Sequence, residues 1–303
     1  MKKNFVFMIS RIFISIAILG ILIYYVGIKQ ILETFVSMKK VFLIPILILH
    51  IISLLIGALN IKILIKKIKN KLSFRKILKY YLVSWSIGSI MPGKIGEFSI
   101  LYMLKKENIS YGQSLAITMI DKIITIIVLS ITAAITIIFL TEVKNFYKPI
   151  IFVVMIIIFL IALKAKIVRD IIKRIMPKKF ADKFKKFNKT LNFFIKNHKK
   201  ELTINFVLTI IKWIITGLGI TLLFFSFGFK TNPIIITAIS MSLTIISLIP
   251  ITINGIGLRE TAAVYLYSLL GAKPEVVISA YLVMTVITYV FAIIILSKRK
   301  LIS

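Results

Sequence analysis

Two turns that carry charged residues interrupt apolar stretches of this sequence, and they constrain its fold more than any other feature. The first is Ile-Met-Pro-Gly-Lys-Ile-Gly-Glu at residues 90–97, and the second is Pro-Ile-Thr-Ile-Asn-Gly-Ile-Gly-Leu-Arg-Glu at residues 250–260. Each is followed by a short apolar stretch, a polar break and a long apolar stretch, at residues 113–140 and 275–296 respectively. Irregular backbone at membrane depth is tolerated only where protein buries it or where it lines a cavity. We therefore predict a supersecondary unit that occurs twice, with both turns facing a common pathway.

The composition supports a membrane location for these stretches. Of the 303 residues, 59% are hydrophobic, and the mean hydropathy is +1.01. Such values are typical of proteins with several transmembrane helices. The formal net charge of +31 does not indicate nucleic-acid binding, because the basic residues cluster between the apolar stretches, where they set orientation and attract anionic lipid. The absence of cysteine excludes disulfides and thiol chemistry.

The apolar stretches predict an all-α polytopic membrane protein with about six transmembrane helices and two opposed re-entrant helical hairpins. The spans are expected at residues 12–26, 41–61, 113–140, 149–163, 202–227 and 275–296, and the hairpins at residues 80–104 and 233–270. Basic loops at residues 62–79 and 164–200 are expected in the cytoplasm, together with both termini. Both loops lie on one side only if each hairpin returns to the face from which it entered. The two hairpins then enter from opposite faces, which is the inverted repeat of secondary transporters.

The first hairpin leaves one alternative open. Each arm of residues 80–104 has about 12 residues and a length of about 18 Å, a little over half of a hydrocarbon core of about 30 Å. The segment therefore fits a hairpin, and it also fits a single broken helix that crosses at Pro92. The broken helix would place the basic residues 164–200 on the outer face, against the positive-inside bias.

We interpret residues 1–303 as a single integral membrane domain of a prokaryotic cell membrane. Its expected parts are a first hairpin unit at about 80–163, a cytoplasmic basic segment at 164–200 and a second hairpin unit at about 201–297. Within the basic segment, apolar residues recur at helical spacing: Phe180, Phe184, Phe187, Leu191 and Phe194. This stripe favours an amphipathic helix on an anionic membrane surface over a solvated linker. Residues 29–40 are expected to form a short loop.

Five ionisable residues are the candidates for substrate binding and translocation: Lys94, Glu97, Asp121, Arg259 and Glu260. A charge at mid-membrane costs about 2.5–3.5 kcal/mol on insertion scales, and such charges mark pathways. The arms that follow the turns point free N–H groups towards the centre, so Lys94 and Arg259 would bind a phosphate there. Glu97 and Glu260 either neutralise these helix ends and pair with the cations, or take a cationic headgroup or a coupling proton. Asp121 also has a structural alternative, because Lys122 lies beside it.

Six further residues are assigned to the geometry of the turns: Pro92, Gly93, Gly96, Asn254, Gly255 and Gly257. His50 is interpreted as a packed or water-bonded interior histidine rather than a functional one. Lys212 is interpreted as a lysine that extends to the cytoplasmic interface, with a charge that faces the pathway as the less favoured alternative. The sequence contains no H-E-x-x-H or G-x-S-x-G motif, and His50 and His198 lie far apart along it. We therefore expect no metal, no cofactor and no enzymatic activity.

The two turns resemble the signature turns of the lysylphosphatidylglycerol synthase transmembrane (flippase-like) family. Residues 91–97 and 250–260 carry the likeness, Asp121-Lys122 resembles the acidic–basic pair of the family, and the similarity covers nearly the whole chain. The resemblance implies an inner-membrane protein that moves or handles lipid-linked anionic substrates. Synthase members carry an additional cytoplasmic aminoacyl-transferase domain, which we do not expect in a chain that ends at Ser303.

The chain departs from the family pattern at four positions. Lys94 and Lys122 stand where arginine is usual, and lysine does not reproduce a bidentate grip on phosphate. Ile100 and Met284 stand where the family often has basic residues. These departures bear on headgroup preference.

The sequence as a whole predicts a flippase that moves a phospholipid or lipid-linked substrate with an anionic phosphate headgroup between leaflets. The alternative is a membrane-embedded subunit or enzyme of aminoacyl-phospholipid or lipid-linked glycan synthesis. Anionic membrane lipids are the expected partners, with no nucleic acid. A homo-oligomer and a separate lipid-modifying enzyme are left open.

Overall fold

The computed structural model describes residues 2–69, 72–140 and 186–298, and their regular secondary structure is helical. Within these ranges the α-helices are α1 Lys2–Val26, α2 Ile28–Val36, α3 Leu43–Ile68, α4 Phe74–Ile90, α5 Ile100–Lys106, α6 Tyr111–Leu140, α7 Phe187–Asn197, α8 Lys199–Ser226, α9 Pro233–Leu248, α10 Leu258–Ser268 and α11 Pro274–Ser297. Short 3-10 helices at Lys40–Phe42 and Ile95–Ser99 precede α3 and α5.

Four helices of the described residues are long and apolar enough to cross a membrane: Lys40–Ile68, Tyr111–Ile137, Lys199–Ser226 and Pro274–Ser297. A fifth crossing is formed if α1 and α2 count as one span, since Ser10–Val26 and Ile28–Val36 meet at a bend of 85°. The expectation of an all-α polytopic membrane protein is therefore confirmed. The span expected at 149–163 lies outside the described residues, and the count of six stays a prediction.

The bend after α1 corrects one sequence interpretation. Most of residues 29–40 are helical rather than a loop, because Ile28–Val36 forms α2. The chain turns at Gly27, whose φ of 95° lies in the region that favours glycine. Ile31 is buried, and α2 packs against α11. This contact stabilises a helix where the polarity of the segment suggested a connection.

α4, the turn at 90–97 and α5 form the first hairpin. α4 ends at Ile90 because Met91 precedes Pro92, and a residue before proline is driven to the extended conformation that Met91 adopts. The 3-10 helix and α5 then pack back against α4. At Gly96 a Cβ atom would lie 2.6 Å from the carbonyl oxygen of Ile87, so only glycine lets the two arms approach this closely.

α9, the turn at 250–260 and α10 form the second hairpin. The side chain of Asn232 accepts a hydrogen bond from the N–H of residue 234 at 2.9 Å, and Pro233 occupies the first position of α9. α9 ends shortly before Pro250, and α10 packs back against it. A Cβ atom at Gly255 would lie 2.8 Å from the Ser247 hydroxyl, so a glycine again allows the close approach.

Two buried apolar clusters mark opposite ends of the long helices. The first cluster includes Ile61, Leu64, Ile77, Leu104 and Ile117. The second cluster includes Ile46, Phe224, Ile236, Tyr267 and Val277. α3 runs from the second cluster to the first, because Ile46 and Leu64 lie near its two ends.

The hairpins enter the helix bundle from opposite ends. The start of α4 and the end of α5 lie in the first cluster, through Ile77 and Leu104. The start of α9 and the end of α10 lie in the second cluster, through Ile236 and Tyr267. This is the opposed arrangement that the distribution of basic residues predicts. Its placement in a bilayer, and hence re-entry from opposite membrane faces, stays a prediction.

The two hairpin units also pack on each other reciprocally. α4 of the first unit packs against α11 of the second, and α9 of the second packs against α6 of the first. The shorter arms pack within their own units, α5 on α6 and α10 on α11. Each unit therefore covers part of the other, and the inverted repeat stays a prediction. The exact domain boundaries proposed from the sequence stay a prediction, because residues 141–185 lie outside the described ranges.

The aromatic stripe of the basic segment differs from its expected role where it is described. Phe180 and Phe184 lie outside the described residues, whereas Phe187, Leu191 and Phe194 lie on α7. Phe194 is fully buried in the first cluster, Leu191 packs against that cluster, and α7 packs against α6 and α8. This part of the stripe therefore faces the protein rather than a lipid surface. An amphipathic pattern shows that one face is covered, and only the fold shows by what.

Candidate functional site

The tips of the two turns meet in the middle of the protein. Pro92 and Ile253 form an isolated antiparallel β-bridge, and a Cβ atom at Gly93 would lie 3.1 Å from the Pro250 side chain. α1 supports the second turn from behind, because the N–H of Ile253 donates a hydrogen bond to the Ser15 hydroxyl at 2.9 Å. The two turns are therefore in direct contact, and the expectation that both face one pathway stays a prediction.

Both turns bend through two consecutive residues with positive φ. These are Gly93 and Lys94, at 59° and 56°, and Asn254 and Gly255, at 79° for the glycine and 49° for the asparagine. A lysine rarely adopts this conformation, and residues held there concentrate at functional sites. The backbone at the first tip therefore holds Lys94 in a conformation that costs free energy.

A cavity of about 350 Å³ lies beside the joined tips. Its wall includes five charged side chains from both turns, α6 and α8: Lys94, Glu97, Lys122, Lys212 and Arg259. Both tryptophans of the chain, Trp85 and Trp213, also line it, as do Gly93 and Asn254 of the turns. The volume lies within the range of small-molecule sites, and aromatic walls with a few polar groups are typical of them. The cavity therefore has the size and lining of a small-molecule site.

The carboxylate of the first turn pairs with a lysine on a neighbouring helix. Glu97, on the 3-10 helix after the turn, forms an ion pair with Lys122 of α6. Nζ of Lys122 also lies 3.6 Å from the carboxylate of Asp121, a residue that is only 2% exposed and is absent from the cavity wall. Asp121 thus supports Lys122 from behind, which is the structural alternative that the sequence left open.

The two charged residues of the second turn pair with each other. Glu260 accepts hydrogen bonds from the N–H of Gly257 at 2.7 Å and from Nη2 of Arg259 at 2.6 Å. It therefore caps α10 and neutralises its neighbour, and it does not line the cavity. Arg259 also donates to the Thr285 hydroxyl at 2.9 Å, and its guanidinium lies 5.2 Å from the ring centre of Tyr281.

The structure thus brings Lys94, Glu97 and Arg259 to the cavity wall and places Asp121 and Glu260 behind it. Their proposed roles in translocation stay predictions. The remaining turn residues, Pro92, Gly96, Gly255 and Gly257, serve the bridge and the close contacts expected of them.

Sequence reasoning did not include Lys212 and Trp213 of α8 among the site residues, because it favoured an interfacial position for Lys212. The expectation that Lys212 extends to the cytoplasmic interface is wrong, because its side chain is only 9% exposed and lines the cavity. Its Nζ lies 5.0 Å from the ring centre of Trp213, and Nζ of Lys94 lies 5.8 Å from the same ring. The signal was the Lys-Trp pair inside an otherwise apolar span, where an ionisable residue is a functional candidate by default.

His50 is packed, as expected, and it also contacts the cavity. Its ring lies between those of Trp85 and Phe291, at centroid distances of 5.6 Å and 4.9 Å. Its Nε2 has no hydrogen-bond partner among the described residues. His198 lies elsewhere, 3.3 Å from Glu201 at the start of α8. The described part of the chain contains no group of three metal-ligating side chains.

Glu107 follows α5 and joins the two ends of the first hairpin, because it contacts the start of α4. Its carboxylate lies 2.7 Å from Nζ of Lys76 and accepts a hydrogen bond from the Tyr80 hydroxyl at 2.8 Å, while Nζ of Lys69 donates to its main-chain oxygen. Desolvation by burial acts to raise the pKa of Glu107, but the bonds from Lys76 and Tyr80 outweigh it and leave that pKa below its ordinary value.

Comparison with known proteins agrees with the turns and the fold. Residues 9–295 match the family described as the lysylphosphatidylglycerol synthase TM region. The UPF0104 membrane protein MJ1595 of Methanocaldococcus jannaschii is 22% identical over 311 residues, which cover 95% of this chain and 91% of that protein. The family match spans both hairpins, the helices that follow them and the cavity between them. The protein with these two joined turns belongs to the lysylphosphatidylglycerol synthase transmembrane-region family.

Proposed function

We propose that this protein moves a lipid with an anionic phosphate headgroup between the leaflets of the membrane. The carrying observation is the cavity at the joined tips, whose wall has four cationic side chains and one carboxylate. Each charge at such depth costs about 2.5–3.5 kcal/mol on insertion scales, so an excess of cations there calls for an anionic occupant. The phosphate of a lipid headgroup is the anion that a membrane supplies in quantity.

The arrangement of the hairpins supports transport rather than static binding. They enter from opposite ends of the bundle and meet at one short bridge, so the site lies between two half-pathways. Secondary transporters place their substrate sites at such a junction of repeats and open it alternately to each side. Movement of either hairpin relative to the other would open the cavity towards one end.

The orientation we propose follows the basic residues. The end of the bundle at the first cluster carries the basic residues that end α3 and begin α4, including Lys66, Lys67, Arg75 and Lys76. The positive-inside rule places this end in the cytoplasm. The protein is a multi-pass membrane protein; a cell-membrane location with both termini in the cytoplasm is part of the proposal.

The test of transport uses purified protein in vesicles. Fluorescent phosphatidylglycerol is placed in both leaflets, and a membrane-impermeant reductant quenches only the outer pool. We expect the protein to make the inner pool accessible, with no covalent change in the lipid by mass spectrometry. Vesicles with protein that leave the inner pool protected would contradict lipid translocation. A new covalent product would favour the alternative, an enzyme of aminoacyl-phospholipid or lipid-linked glycan synthesis.

The cavity itself is tested by filling it. Thr244 of α9 lines the cavity, so Thr244→Phe should reduce the rate at least about tenfold, because a blocked site loses the binding that carries transport. Ile293→Phe adds bulk at a side chain that is 66% exposed on α11 and should leave the rate unchanged. Equal rates for both variants would remove the cavity from the pathway.

A further inference from the structure

We propose that Lys94, Trp213 and Lys212 form the anion subsite of the cavity, and that it selects phosphate headgroups without an amine. The inference rests on the proposed function for its role in transport, but the binding it describes is independent of movement. The ligand class is a phosphate ester whose negative charge is not balanced by an ammonium group.

The first observation is that neither of these two lysines forms a salt bridge with a described acidic side chain, whereas the other cavity cations do. Lys122 pairs with Glu97, and Arg259 pairs with Glu260. Nζ of Lys94 and Nζ of Lys212 instead lie near one indole ring, at 5.8 Å and 5.0 Å from its centre. Lys212 is nine-tenths buried, so its charge has little water to solvate it.

The second observation is an unused donor on the indole that lies near both lysines. Nε1 of Trp213 is buried and has no hydrogen-bond partner among the described residues. A buried indole N–H usually finds an acceptor, and it is a donor only. Two ammonium groups and this N–H are all donors, which matches the oxygens of a phosphate and no cationic group.

The third observation concerns the carboxylates, which would have to receive a headgroup amine. Glu97 is engaged by Lys122, and Glu260 is engaged by Arg259 and the N–H of Gly257. Asp121 lies behind Lys122 and does not reach the cavity wall. An amine in the cavity would therefore meet the two lysines and a single wall carboxylate, Glu97, whose charge Lys122 already balances. Like charges across a binding site are a means of excluding a ligand.

Intrinsic fluorescence reports directly on this subsite. Both tryptophans of the chain line the cavity, and Trp85→Phe leaves Trp213 as the single emitter. The detergent-purified Trp85→Phe protein is titrated with monomeric dihexanoyl phosphatidylglycerol, with dihexanoyl phosphatidylethanolamine and with inorganic phosphate. We expect the glycerol lipid to bind at least about tenfold more tightly than the ethanolamine lipid, which is about 1.4 kcal/mol. Inorganic phosphate that binds as tightly as the glycerol lipid would assign the same subsite to free phosphate; much weaker binding would assign it to a lipid headgroup.

Charge variants decide whether the two lysines carry the preference. Lys94→Asn keeps a residue that tolerates positive φ, and Lys212→Gln keeps the length of the side chain. Each should weaken binding of the glycerol lipid about tenfold and reduce the preference over ethanolamine. Lys212→Arg should retain the preference, and Lys230→Gln, at an exposed lysine outside the cavity, should change nothing.

Two results would overturn the subsite. One is equal binding of the two lipids by the Trp85→Phe protein, and the other is unchanged binding in both lysine variants that elute as folded protein. Translocation without this preference would reject the subsite and leave the proposed function intact. Selective binding without translocation would do the reverse.

Discussion

The two turns share a residue pattern but use their charges differently. In the second turn, Glu260 bonds to the N–H of its own helix and to the adjacent Arg259. In the first, Glu97 depends on Lys122 of α6, and Lys94 has no ion pair with any described residue. The ion pair between Arg259 and Glu260 lies within one turn and stabilises the shape of that turn. The ion pair between Glu97 and Lys122 instead connects the first turn to α6, and it leaves Lys94 available to a ligand.

This difference predicts that changes in the second turn act mainly on stability, whereas changes in the first act mainly on transport. The tests below compare matching positions in the two hairpins. They begin with the all-or-none result and end with the smallest change in free energy.

The largest expected effect is the side from which each hairpin base is labelled. The chain has no cysteine, so Asn108→Cys and Lys273→Cys introduce single reporters at exposed positions that follow the two hairpins. If each hairpin returns to its own face, an impermeant thiol reagent should label Lys273→Cys from outside cells and Asn108→Cys only after lysis. Labelling of both variants from outside would indicate a broken helix that crosses at Pro92.

The next effect is the stability difference between the two glutamates. Glu260→Gln leaves the largely buried Arg259 without its counter-charge, and breaking a buried pair costs about 3–5 kcal/mol. Glu97→Gln leaves Asp121 at 3.6 Å from Lys122, so its cost in stability should be about 1 kcal/mol. Its main effect should be on transport, because it alters the charge of the cavity wall. Thermal unfolding in detergent measures the first difference, and the vesicle assay measures the second.

The double variant Arg259→Gln with Glu260→Gln provides the control for this comparison. It removes both charges together and should recover part of the stability that Glu260→Gln loses. Equal melting temperatures for Glu97→Gln and Glu260→Gln would show that the two charge pairs are equivalent, contrary to the structure.

Replacement of the glycine at which the two arms of a hairpin approach should destabilise both hairpins to a similar extent. Gly96→Ala forces a Cβ atom against the main chain of residue 87, and Gly255→Ala combines a φ of 79° with a contact at 2.8 Å. Each should destabilise the protein by about 1–3 kcal/mol, as overpacking and backbone strain do. The control is Gly219→Ala in α8, where a Cβ atom meets nothing within 4 Å and stability should not fall. A neutral Gly96→Ala would mean that the first hairpin is more open than the second.

The smallest effect concerns the base of the first hairpin and depends on pH. Because the folded-state pKa of Glu107 is lowered, the stabilisation from its charge is complete above its unfolded-state pKa of about 4.3 and is lost as pH falls through the folded-state value. Glu107→Gln should therefore cost about 1 kcal/mol at pH 7, since Lys76 is half exposed. The difference from the unmodified protein should shrink below about pH 4. A pH-independent difference would assign the effect to packing rather than charge.

Several elements could be predicted because local sequence determines them. The proline and glycine pattern located both turns, and the glutamates and basic residues near them located the charges. The distribution of lysines predicted hairpins from opposite ends of the bundle. The positive-inside bias assigns each basic loop to one side, and this determines whether the number of crossings between two loops is even or odd without any information on contacts. By contrast, residues 29–40 were assigned to a loop because their polarity hides the buried face of α2.

The sequence by itself determined the membrane class, the long helices, the two turns and the family, since hydropathy, proline and glycine act over a few residues. Only the tertiary structure decided which charges face the cavity, because the ion pairs of Lys122 and the position of Lys212 depend on how α6 and α8 pack against the turns. It also decided that Glu260 caps its own helix while Lys94 forms no salt bridge with a described residue. Periodicity shows that a side chain is buried or charged, but the partner that compensates it comes from packing between distant segments.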